Sequence, residues 1–78
     1  MEEKKWNLMP SGTYRHEQNG IRATYGKYEH DKDPYFCAND CLDASSPFIS
    51  GSACDLLTAK AHAESAIDEL LELRKRSS

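Results

Sequence analysis

The chain has 78 residues and a mass of 8.8 kDa, enough for one small domain and no more. Hydrophobic residues make up 38% of it, so its core must be thin, and 13 acidic against 10 basic residues leave a formal net charge of −3. No apolar run approaches the roughly 18 residues of a membrane span, no signal-peptide core follows Met1, and the mild acidity argues against wrapping nucleic acid by phosphate neutralisation. The expectation is a small soluble protein of the cytoplasm, with little room for a deep catalytic pocket.

Residues 1–12 read as a loosely held lead-in. Met1 to Lys5 is charged and aperiodic. Trp6, Leu8 and Met9 then flank Asn7 in a pattern that makes either a short strand or a hook over the core. Pro10-Ser11-Gly12 ends it.

Residues 13–49 read as a β-meander with its loops. Asn19-Gly20 is a strong hairpin signal, because a type I′ turn needs positive φ at both central residues. Placing those two at the tip sets the register. Gln18 faces Ile21, Glu17 faces Arg22, His16 faces Ala23, Arg15 faces Thr24 and Tyr14 faces Tyr25. Tyr14, Ile21, Ala23 and Tyr25 then share a core face, with His16 on the same side. Arg15, Glu17, Arg22, Thr24 and Tyr28 share the solvent face. Glu29 to Pro34 is a charged loop, and Tyr35-Phe36-Cys37-Ala38 is a third strand. Either Tyr35 and Cys37 or Phe36 and Ala38 face inward. Asn39 to Gly51 should be irregular, with Phe48 and Ile49 forming a fourth strand or dropping into the core.

Residues 52–76 read as a helix capped by Ser52, with Asp55 in the reciprocal position. Leu56, Ala59, Ala63, Ala66, Ile67, Leu70 and Leu73 follow helical spacing, small residues first. Arg74, Lys75 and Arg76 suit the negative end of the helix dipole. The predicted fold is α+β: a three- or four-stranded antiparallel meander packed against one long C-terminal helix.

No constellation points to catalysis. His16, His30 and His62 are far apart, and the glycines form no phosphate loop. Cys37, Cys41 and Cys54 cannot all pair with one another and suit a reducing compartment. With His62 or His30 they would make a zinc site, but their spacing is poor for one, and no metal or cofactor is expected. The strand–strand–strand–helix order resembles the end of a double-stranded-RNA-binding domain. However, the helix carries acids where that family carries lysines, so direct nucleic-acid binding is the alternative and not the leading reading.

Two surfaces are candidates for binding a partner. Arg15, Arg22 and Tyr28 on the hairpin's solvent face combine the residue types enriched in binding hot spots. Glu64, Asp68 and Glu72, spaced four apart, share one helix face whose charge suits a basic groove. Both sets are expected to be exposed.

The plan resembles that of small phage- and prophage-encoded accessory proteins, anti-CRISPR proteins among them. The resemblance rests on Trp6, Gly12-Thr13-Tyr14, the Asn19-Gly20 hairpin, Ile21-Arg22-Ala23-Thr24, and the alanine-rich stretch from Leu57 to Glu64. It implies a non-catalytic inhibitor that blocks a bacterial nucleic-acid-processing or defence complex by direct protein contact in the host cytoplasm. It implies no particular site residues.

Overall fold

Asn19 and Gly20 have φ angles of 51° and 82°, the left-handed pair that a two-residue hairpin turn requires. That turn joins β2 (Tyr14–Gln18) to β3 (Ile21–Gly26) in the register read from the sequence, with Gln18 opposite Ile21 and Tyr14 opposite Tyr25. The computed structural model describes residues 5–28, 32–43 and 45–77. The expectations for Met1 to Lys4 and for Glu29, His30 and Asp31 fall outside these.

Around the hairpin the chain builds a five-stranded antiparallel sheet in simple sequence order, not one of three or four strands. The additional strands are β1 (Asn7–Leu8) and β5 (Ile49–Ser52), flanking β2 and β4 (Tyr35–Asp40) respectively. The lead-in is therefore tied down. Asn7 and Leu8 pair with Arg15 and Tyr14, and the Met9 amide donates to the Thr13 carbonyl at 2.7 Å. Phe48 does not drop into the core; it is exposed, and Ile49 enters the sheet instead.

The third strand's register is settled by its partner. Phe36, Ala38 and Asp40 stand opposite Tyr25, Ala23 and Ile21 and so face inward, while Tyr35, Cys37 and Asn39 face out. Gly26 closes the β3 row where a side chain has no room: a Cβ there would lie 2.8 Å from the Thr13 Cα.

The helix α1 (Leu56–Ser77) begins later than expected. Ser52 belongs to β5, and Asp55 is the cap, its Oδ1 accepting the Thr58 amide at 2.8 Å. Asp55 wins because a cap needs non-helical backbone just before the first turn, and Ser52 is still paired with Tyr35. Leu56 and Leu57 consequently lie outside the core and are exposed. Further along, Ala59, Ala63, Ala66, Ile67 and Leu70 are buried over β3 and β4. The small residues let the helix approach Ala23 and Ala38 closely, and Ile21, Ile67 and Leu70 fill the remaining space. Each large side chain so buried stabilises by about 1.5–3 kcal/mol.

Three long-range polar contacts lock the helix down. Asp40 is buried at the end of β4 and takes a bidentate pair from Arg74, Nη2 to Oδ1 at 2.6 Å and Nε to Oδ2 at 3.0 Å. Arg74 Nη1 also donates to the Asn19 carbonyl at 2.6 Å, which reaches the hairpin tip. At the other flank Trp6 packs edge-on against Tyr25, with centroids 4.7 Å apart, and its Nε1 donates to Glu64 Oε2 at 3.1 Å.

Candidate interaction surface

The helix lies on one side of the sheet only. Alternation along β2, β3 and β4 therefore presents Arg15, Glu17, Arg22, Thr24, Tyr35, Cys37 and Asn39 on the side it leaves bare. Two of the three predicted hairpin-face residues sit there as expected, Arg15 and Arg22 both being exposed. Arg22 Nε lies 3.6 Å from Glu17 Oε2, an exposed pair of little energetic weight. Asn39 is its neighbour on β4, so neither flanking residue on the ladder repels it.

Tyr28, past the end of β3, folds back to stack on Tyr35. Their rings are 5.5 Å apart and 13° from parallel, and the Tyr35 hydroxyl donates to the Tyr28 hydroxyl at 3.2 Å. Tyr35 stands opposite Gly26 across the ladder. Burial, reinforced by the Tyr28 hydrogen bond, pushes the Tyr35 phenol well above its ordinary value, so it stays neutral at physiological pH. Tyr35 is the residue that sequence reasoning missed. The signal that would have found it was the parity of β4, which the sequence alone left open.

The acidic set does not form a uniform exposed stripe. Glu64 is half-buried and holds the Trp6 indole, so its carboxylate belongs to the core's edge. The reason is that the lead-in hooks over β2 and brings an N–H donor to the helix flank. Asp68 and Glu72 are exposed, and Glu72 Oε1 lies 3.8 Å from Arg76 Nε one turn on. The helix packs on the far side of the sheet, so these acids and the hairpin arginines do not form one site.

The remaining chemistry is dispersed. All three thiols are free. Cys37 lies on the bare face, Cys41 just past β4 and Cys54 before the helix. Among the described residues no group of three or more His, Cys, Asp or Glu side chains is placed to hold a metal ion. His62 instead stacks on Phe36 at 5.2 Å. An open hollow of about 190 Å³ is lined by Asp43, Ser45, Ser46, Pro47 and Leu73. It is smaller than the roughly 300–1,000 Å³ of typical ligand pockets. Among the described residues no helix is long and apolar enough to cross a membrane.

No known protein family, curated protein or solved structure matches the chain.

Proposed function

We propose that this chain is a non-catalytic protein-interaction domain that docks through the bare face of its sheet. In its most specific form it inhibits a bacterial nucleic-acid-processing or CRISPR-type defence complex. The observation that carries the reading is the one-sided sheet. On one face of the five-stranded sheet a helix covers β3 and β4, and the other face presents Arg15, Arg22 and the stacked Tyr28–Tyr35 pair. Arginine and tyrosine supply rigid, amphipathic contact area, which is why they dominate interface hot spots. The two arginines against the single Glu17 suit a partner surface bearing carboxylates. Glu64 already serves the Trp6 contact, which favours the hairpin face over the acidic helix flank for affinity.

The test is capture from bacterial lysate with four tagged proteins: wild type, Arg22→Ala, Tyr35→Ala and Asp68→Lys. The reading expects a nucleic-acid-processing complex that wild type retains and inhibits, and that the first two variants lose while Asp68→Lys keeps it. A complex retained by both sheet-face variants would overturn the choice of surface. Tight binding of a protein-free single-stranded oligonucleotide, weakening steeply with salt, would replace the reading with direct nucleic-acid recognition.

A further inference from the structure

We propose that the chain forms a two-fold symmetric dimer by antiparallel pairing of β5 with β5 of a second copy, joining two five-stranded sheets into one. This surface is distinct from the bare face above and does not depend on its role. β5 is the last strand of the sheet, and nothing pairs with its outer side among the described residues. The ladder shows which of its backbone groups are unused. The Ala53 amide donates to the Pro34 carbonyl at 2.9 Å, so Pro34 and Ala53 are a hydrogen-bonded position. Such positions alternate in an antiparallel ladder. Phe36–Gly51 and Ala38–Ile49 are therefore bonded as well, and the N–H and C=O groups of Ser50 and Ser52 point away from β4. Both serines and the glycine between them are exposed.

The edge strand also carries no charge. Sheet edges are normally blunted by charge, proline or a bulge. β1, at the opposite edge, has two residues and is flanked by Lys5 and Pro10. β5 has four residues and, with Pro47 two residues before it, lies within residues 44–54, the longest uncharged stretch of a chain that is 29% charged. Each of its residues pairs in regular register with β4.

A second copy is the occupant that satisfies these groups. An axis through Gly51 sets Ser50 of one copy opposite Ser52 of the other, and the reverse. Both outward N–H and both outward C=O groups of each strand are then used. Gly51 meets its own mate at the closer, non-bonded position of the ladder, where lack of a side chain removes any clash. On the helix side Ile49 comes opposite Ala53, both half-buried and apolar in the single chain. No charge meets a like charge across the axis. A strand from an unrelated protein would pair with this edge but gains nothing from the symmetry about Gly51.

The geometry supplies a clean test. Proline at position 50 removes an outward N–H and leaves the β4 ladder intact, so Ser50→Pro should fold and fail to dimerise. Sedimentation equilibrium of the wild type over about 10 μM to 1 mM should show a monomer–dimer equilibrium. Ser50→Pro should weaken it at least about tenfold, with an unchanged circular dichroism spectrum. If Ser50→Pro does not fold, amide exchange of the wild type decides. Ser50 and Ser52 should become protected as concentration rises, while Gly51 should stay protected throughout. A wild type that is monomeric at the highest concentration would overturn the proposal. So would a dimer unaffected by Ser50→Pro, or exchange at Ser50 and Ser52 that ignores concentration.

Discussion

The same strands give the sheet two unlike faces. Toward the helix, Ile21, Ala23 and Ala38 are fully buried under Ala59, Ala63, Ile67 and Leu70. Toward the bare side, the alternate residues of those strands, Arg22, Thr24, Cys37 and Asn39, carry polar or small side chains that remain exposed or half-exposed. The difference is one of function within the molecule. Burial on the helix side supplies the stability, and the proposed function assigns the bare side to a partner. Stability and recognition should then respond to separate sets of substitutions.

Breaking that separation begins with the core. Ile67→Ala should lose about 2–5 kcal/mol in a urea melt, a large share of what a domain this small possesses. If it loses no more than a bare-face variant, the division between faces is wrong. Next is the buried ion pair. Asp40→Ala removes two of the hydrogen bonds that the part-exposed Arg74 guanidinium makes, leaving it the Asn19 carbonyl and solvent, and should lower the thermal midpoint by about 5 °C.

The pH dependence sharpens the same point. The Arg74 guanidinium holds the Asp40 carboxyl below its ordinary value in the folded chain. That stability is present above the unfolded pKa of about 4 and is lost as pH falls through the folded value. Asp43 and Asp55, lowered by hydrogen bonds from Ser45 and Thr58, act in the same direction. The thermal midpoint should hold steady from about pH 5 to 8 and fall below about pH 4, less steeply in Asp40→Asn. At the alkaline end, Tyr25, raised by burial, and Tyr35 both resist ionisation in the folded state. Stability should decline as pH rises past about 10.

Smaller effects belong to the margins. Glu64→Ala removes the acceptor of the Trp6 indole and should cost about 1 kcal/mol, with a change in tryptophan fluorescence. Arg22→Ala breaks only the exposed contact with Glu17 and should stay within about 0.5 kcal/mol of wild type. A larger loss there would mean that the bare face also supports the fold.

How much of this was legible follows from the range of each signal. The hairpin register was readable because Asn19-Gly20 sets it locally, and the core stripe because its spacing repeats along one element. The helix cap was misplaced onto Ser52 since residues 52–55 offer two capping side chains, and only pairing with Tyr35 shows that Ser52 is still strand. The parity of β4 depends on β3 across a loop and has no local signature. Arg74 extends the buried series Ala63, Ile67 and Leu70 by one further turn, so its inward position was implicit in the spacing. Its charge made it look like a dipole partner at the helix end. Nothing local marks Glu64 as the partner of a tryptophan 58 residues away. For the bare face, Arg15 and Arg22 followed from alternation, whereas the Tyr28–Tyr35 stack required a strand whose orientation was open.

The ties made by Asp40 and Trp6 have a consequence for how the chain reaches this state. Arg74 meets Asp40 across 34 residues and Asn19 across 55, and Trp6 meets Glu64 across 58. Closing such loops requires much of the chain to be ordered before any of these bonds forms. The meander can begin from the local Asn19-Gly20 turn, but its apolar face has no cover until the helix docks. A nascent chain on the ribosome would therefore lack the cover its sheet needs until Ile67, Leu70 and Arg74 had emerged from the exit tunnel. Folding should then occur as one late, cooperative event, with no stable half-built form preceding it.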